Sequence, residues 1–307
     1  MSHLLLFKLG ALGDLSFFLP CLDQIKRSDP STQITWVVGH SYAPLLKAHP
    51  HVDQVISVDE RALFQSGPFG LIRESLKLWR RLKASYDQIW IGHRSSFIFL
   101  LLRLRLRGHI FQIVRKRTRF LALLRTEVEV PPLTLHESLG FQRLCERALG
   151  RNLPKSQWQA DYSWVPKPSV SLPTQYLVLH IGGGSNEKTE FRLKQWPHWS
   201  QLVDQLSGEE PDLPIILIGS KADQAQADLI TQGSNRASVL NLVGKLNFLE
   251  LIGVLKQATW FVGVDSGPLH FADALKVTCI GLYGPTSLTS WGLLNSHSLG
   301  LSQKLAC

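Results

Sequence analysis

The chain of 307 residues has no Cys-x-x-Cys pair; Cys21, Cys145, Cys279 and Cys307 stand far apart. That spacing argues against a zinc ribbon and a disulfide framework, and it suits a reducing compartment. Also missing are an Asp-x-Asp pair, a Gly-Lys-Ser/Thr phosphate loop and a Gly-x-Gly-x-x-Gly fingerprint. A metal-dependent phosphate site, a P-loop nucleotidase and a nicotinamide enzyme therefore each lack their usual residues. The longest apolar run, near residues 97–102, is far short of a bilayer span. The first residues lack a basic start and Lys8 interrupts the apolar stretch, so no signal peptide is expected and the chain is expected to be cytoplasmic. Acids are the scarcer sign, 24 against 33 Lys and Arg, for a formal charge of +9. That excess points to an anionic partner: nucleic acid, anionic lipid or a phosphorylated ligand. The apolar and charged shares, 44% and 19%, are those of a globular protein.

What is present is organised around Phe261-Val262-Gly263-Val264-Asp265-Ser266-Gly267-Pro268-Leu269-His270. Residues 260–264 read as a buried strand, and Gly267-Pro268 open a helix over 268–275. A strand that turns into a helix start offers unpaired N–H groups to an anion, and Gly267 lets a phosphate approach the backbone. The plainer alternative is an ordinary joint in which Asp265 only caps the helix.

Elsewhere the chain alternates short apolar runs with helices, the pattern of a parallel α/β sheet. Strands are expected over 4–7, 34–38, 55–58 and 88–91, with helical segments over 14–27, 69–83 and 136–150. Pro20 fits a first helical turn or a kink. Residues 94–125 carry eight Lys and Arg from Arg103 onward without an acid, among Phe97, Leu100, Leu104 and Phe111. Such a segment suits an anionic membrane surface or an acidic substrate, against the alternative of a solvated helix face. No recognised nucleic-acid motif accompanies it, so no nucleic-acid partner is expected. Residues 164–173 hold three prolines and two serines and read as a linker. That divides the chain into domains at 1–165 and 174–307.

The second half restarts the alternation, with strands expected over 176–181, 215–218, 260–264 and 278–282. Each is followed by a turn rich in small residues: Gly182-Gly183-Gly184-Ser185, Gly219-Ser220, Asp265-Ser266-Gly267 and Tyr283-Gly284-Pro285-Thr286. In a parallel sheet all four lie on the carboxyl edge, where open α/β sheets bind ligands. Together they point to a nucleotide-type ligand.

With these residues in view the chain resembles glycosyltransferase family 9, the heptosyltransferases of lipopolysaccharide core synthesis. The resemblance is carried by Lys8-Leu9-Gly10-Ala11-Leu12-Gly13-Asp14 through Pro20, and by His180-Ile181-Gly182-Gly183-Gly184-Ser185 with Lys194-Gln195-Trp196-Pro197. It is completed by Val264–His270 with Tyr283-Gly284-Pro285-Thr286. It implies a GT-B fold, two Rossmann-like α/β domains facing each other across a cleft. It further implies metal-independent, inverting transfer of a heptose from ADP-heptose, or another NDP-sugar, onto the lipopolysaccharide inner core. No cofactor is implied.

Residue by residue, the resemblance makes Asp14 the catalytic base and Lys194 the cation that meets the donor phosphates. It places Gly184, Ser185, Asp223, Leu246, Asp265, Ser266, Gly267 and His270 at the donor. Asp223 would lie near the ribose, where the family often has glutamate, and Leu246 on the adenine. His270 would touch the donor or satisfy itself in the core. Gly13, Arg94, Arg115 and Arg117 would meet a phosphorylated, lipid-linked saccharide at the cytoplasmic face of the inner membrane, with peripheral contact to anionic lipid. Without the resemblance, Asp14 reads as a helix cap and Lys194 as a surface lysine. Two features depart from the family. The loop from Gly182 to Lys194, with Glu187, Lys188, Glu190 and Arg192, is longer than in some members, which is expected to bear on donor choice. The chain also ends at Cys307, where members usually continue into a final helix. The competing readings are a degenerate member that binds without catalysis and a nicotinamide-dependent oxidoreductase.

Overall fold

A computed structural model describes residues 1–65, 67–115, 123–129, 134–183, 193–233 and 239–302. The chain divides into two compact units, Met1–Trp164 and Val165–Cys307. Each is built on a six-stranded parallel sheet.

In the first unit the strands are β1 (His3–Phe7), β2 (Gln33–Gly39), β3 (Gln54–Val58), β4 (Ser85–Ile91), β5 (Arg107–Val114) and β6 (Thr126–Glu129). They are ordered β3-β2-β1-β4-β5-β6. The central strand reads His-Leu-Leu-Leu-Phe and is buried from Leu4 onward, because helices cover both faces of a parallel sheet. One face carries the helices Gly67–Arg81 and Ser96–Arg103, whose Leu78, Ile98, Phe99, Leu101 and Leu102 join the strands in one core.

The expected single helix over 14–27 is two, Leu12–Phe18 and Pro20–Ser28. Pro20 is the first residue of the second, where its missing N–H costs nothing. The helix Ser138–Leu149 ends at Gly150, whose φ of 66° makes it a left-handed cap.

The basic segment over 94–125 is not one surface element. Its middle is β5, whose last five residues are buried and which pairs with both β4 and β6. The flanking arginines hid a strand that His109 to Val114 spell in β-branched and aromatic residues. The short β6 also falls outside the strands expected from the sequence.

The second unit repeats the plan. Its strands are β7 (Leu177–His180), β8 (Ile215–Ile218), β9 (Val239–Asn241), β10 (Trp260–Val264), β11 (Thr278–Tyr283) and β12 (Leu299–Ser302). The order β12-β11-β10-β7-β8-β9 is the same topology read from the other side. In both sheets the order reverses beside the first strand, at β1/β4 and at β7/β10. Ligands of open α/β sheets bind outside the carboxyl ends of the strands at such a reversal.

Candidate active site

In the first unit β1 delivers Lys8 to that point, buried and directed at the helix Leu12–Phe18. Lys8 Nζ donates to Asp14 Oδ2 at 2.6 Å and lies 5.6 Å from the centre of the Phe141 ring. Asp14 does not cap its helix. The N-cap is Ala11, and Asp14 sits inside the first turn, where the helix dipole favours a carboxylate. Its side chain is 26% exposed against 5% for Lys8. The pair thus leaves the carboxylate partly exposed on a fixed support.

The neighbouring turn, after β4, is locked to this one. Leu9 N–H donates to His93 Nε2 at 2.8 Å, a bond that requires a neutral imidazole. Burial, and then the charge of Lys8, hold His93 well below the usual histidine range, consistent with that role. Gln112 on β5 donates to the carbonyls of His93 and Ser95, at 2.8 and 3.0 Å. Its own oxygen accepts from Arg125, which is buried, paired with Glu127 at 2.8 Å and stacked over Phe99 at 4.5 Å. Arg125 therefore belongs to the scaffold, correcting its reading as part of an acceptor-gripping surface.

Arg94 is ion-paired with Glu137, and burial pushes the Glu137 carboxyl up against the opposing pull of Arg94. Arg94 and Arg115 line one pocket of about 500 Å³ with Ser95, Ser96, Val114 and Arg125. Gly13 is buried beside Asp14 on the same helix. Arg117 lies outside the described residues.

In the second unit the corresponding point holds Asp265, directly after β10. It is not a cap either; Ser266 is the N-cap of the helix Gly267–Ala274, without a side-chain capping bond. Asp265 Oδ2 accepts from Lys194 Nζ at 2.8 Å, and Oδ1 meets His270 Nε2 at 3.1 Å. Burial alone would push the Asp265 carboxyl up, but His270 and Lys194 outweigh it and hold it well below the usual carboxylate range. Here the aspartate is the buried partner, 5% exposed, and the lysine the more open one, 17%. His270 is also buried, with its ring against the Asp265 carboxylate.

Two neighbouring segments anchor Lys194. On its C-terminal side, Trp196 packs edge-on against the fully buried Trp199 at 4.9 Å. On its N-terminal side, the Leu193 carbonyl lies 3.1 Å from where a Cβ on Gly284 would stand, so the lysine segment packs closely on the turn after β11 and a side chain there would press on it. Ser266 Oγ is 3.1 Å from His180 Nδ1, at the end of β7, and burial lowers His180 to about 4.

Asp223 Oδ2 accepts from both the N–H and the hydroxyl of Ser220 at 2.7 Å, a capping box. The same oxygen stands 2.5 Å from a Cβ position on Gly182, which brings Asp223 against the turn after β7. Leu246 is half-buried in the turn after β9. Gly184, Ser185, Glu187, Lys188, Glu190 and Arg192 lie outside the described residues, as does Cys307. Among the described residues no group of three or more His, Cys, Asp and Glu is placed to hold a metal ion.

His93, Gln112 and Glu137 had no place in the sequence reading, and Lys8 and His180 entered it only as members of motifs, without a role of their own. Lys8 did carry a signal, a lysine ending the most apolar strand of its unit.

The family model of glycosyltransferase family 9 (heptosyltransferase) matches residues 75–307. The chain belongs to this family, and so is a glycosyltransferase. It is 27% identical over 318 residues to lipopolysaccharide heptosyltransferase 1 of Pseudomonas aeruginosa, covering 99% of this chain and 85% of that one. Its fold is similar to that of Escherichia coli heptosyltransferase WaaC with ADP, at a TM-score of 0.80 and 21% identity, over 98% of this chain and 93% of that one. The same enzyme with ADP-2-deoxy-2-fluoro heptose gives 0.78 and 22%, over 97% and 92%. The fold is thus GT-B, with two Rossmann-like domains.

Proposed function

We propose that this family member transfers a heptose from ADP-heptose to the inner core of lipopolysaccharide, with inversion and without a metal. The observation that carries the reading is the Lys–Asp ion pair at each topological reversal, with the aspartate outermost in one and the lysine outermost in the other. The relatives' names supply the sugar, the nucleotide and the acceptor class.

In this reading Asp14 Oδ1 takes the proton of the acceptor hydroxyl as its oxygen attacks the anomeric carbon. The bond from that carbon to the β-phosphate oxygen breaks on the opposite face, which inverts the centre and releases ADP. Negative charge grows on the departing diphosphate. Lys194 and the N–H groups opening the helix at Gly267 stabilise it more in the transition state than before it. Asp265 and His270 position Lys194. Gly184, Ser185 and Ser266 complete the phosphate cradle, with Asp223 on the ribose and Leu246 on the adenine. Gly13, Arg94, Arg115 and Arg117 receive the phosphorylated acceptor at the cytoplasmic face of the inner membrane.

The test is ADP release from ADP-heptose with a heptose-deficient lipopolysaccharide, with and without EDTA. Acceptor-dependent release that survives EDTA is expected. ADP binding without release from any NDP-sugar would leave a binding protein, and release abolished by EDTA would end the metal-independent mechanism.

A further inference from the structure

The helices Gly67–Arg81 and Ser96–Arg103 lie on one face of the first sheet, joined where Trp79 Nε1 donates to the Leu101 carbonyl at 3.1 Å. Their inward faces fill the core, yet each also turns apolar side chains outward at the spacing i, i+3, i+7. These are Phe69, Ile72 and Leu76 on the first, and Phe97, Leu100 and Leu104 on the second and its cap. That spacing places each triad on a single helix face. Phe69 is 89% and Leu104 78% exposed, far beyond what the rim of a core requires.

The exposed charges of these two helices and of the segment that follows the second have one sign. Arg73, Lys77 and Arg80 flank the first, and Arg103, Arg105 and Arg107 border the second, all of them exposed. The one acid of the first helix, Glu74, is buried and held by Arg73 and Lys77, at 3.2 and 2.7 Å. Residues 96–107 contain no acid.

We infer that this two-helix face is a docking surface for an anionic lipid bilayer. The apolar triads enter the headgroup boundary while the cations meet lipid phosphates. A second copy of the chain is the poorer occupant, since a two-fold contact would set like charges against each other. Both helices start at the carboxyl edge of the sheet. Phe97 follows closely on Arg94, which lines the pocket with Arg115, so the face leads from lipid to that pocket. The inference deepens the heptosyltransferase reading, from which it takes the lipid-linked acceptor, but vesicle binding needs no turnover.

The test is flotation of the full chain with vesicles of phosphatidylcholine alone and of phosphatidylcholine with phosphatidylglycerol. Binding is expected only to the anionic vesicles and should fall steeply with salt. Phe69→Ser with Leu104→Ser should lower it about tenfold or more, with the melting temperature and turnover on a delipidated acceptor unchanged. Arg103→Gln with Arg105→Gln should also lower it and flatten the salt dependence. No flotation of wild type with anionic vesicles would overturn the inference, as would equal flotation of the Phe69/Leu104 variant. So would self-association lost in that variant without any vesicle binding. Turnover on the delipidated acceptor reports separately on the transferase reading, which can stand if flotation fails and fall if it succeeds.

Discussion

The two units have the same strand order and carry the same two residue types at the point where it reverses, but the pairs are turned over. In the first, lysine is desolvated at the end of the central strand and aspartate faces outward. In the second, aspartate is desolvated after β10 and lysine is the more open. The buried member of each pair is a fixed counter-charge held by packing, and the outer member is left to act. In the proposed transfer one arrangement would supply the base and the other the cation, the two requirements of displacing a diphosphate with a hydroxyl. The supports differ as well. Lys8 rests against Phe141 beside the His93–Gln112–Arg125–Glu127 chain, whereas Asp265 has His270 as a second donor.

The largest expected effect separates the two outer residues. Asp14→Asn should lower kcat by about 10²–10⁴-fold, with ADP affinity and melting temperature unchanged. Lys194→Met should lower kcat/KM by about 10²–10³-fold and weaken ADP binding. Similar ADP losses in both variants would break the division of labour.

Removing a buried member probes the supports. Asp265→Asn removes the buried charge that Lys194 and His270 share and should cost about 3 kcal/mol in denaturant unfolding. A cost near zero would mean that burial, not pairing, dominates at that position.

Acid should act unequally on the two units. His49 and His180 are held by burial at about 3 and about 4, and His93 well below its usual range. Each is neutral when folded but takes a proton near pH 6.5 when unfolded. The stability tied to each is therefore complete above about pH 6.5 and is lost as the pH falls toward the folded value, by up to about 1.4 kcal/mol per pH unit. Two of the three lie in the first unit, so hydrogen exchange at pH 5 against pH 7 should show that unit losing protection first. The smallest effect is at Asp223. Asp223→Ala should cost about 1 kcal/mol through the lost cap, and a rise in the donor KM beyond that would mark a ribose contact.

Much of the architecture was legible because parallel strands buried on both faces spell themselves as apolar runs, as in residues 4–7 and 215–218. The strand β5 was not, since its arginine-rich flanks made the whole stretch resemble a surface segment. Of the site, the turns and the residues Asp14, Lys194 and Asp265 could be read from motifs. Their pairing could not. Lys194 and Asp265 are 71 residues apart, and Arg125 finds its acid at Glu127, just past the run that had looked free of acids. Periodicity reports which face an element buries, but not which distant polar group meets it there.

The measurement that bears most directly on the account pairs calorimetric ADP titration with ADP-heptose turnover on a heptose-deficient acceptor, in wild type, Asp14→Asn and Lys194→Met. The account predicts wild-type ADP affinity without turnover in Asp14→Asn, and loss of both in Lys194→Met. Retained turnover in Asp14→Asn, or unchanged ADP binding in Lys194→Met, would contradict it.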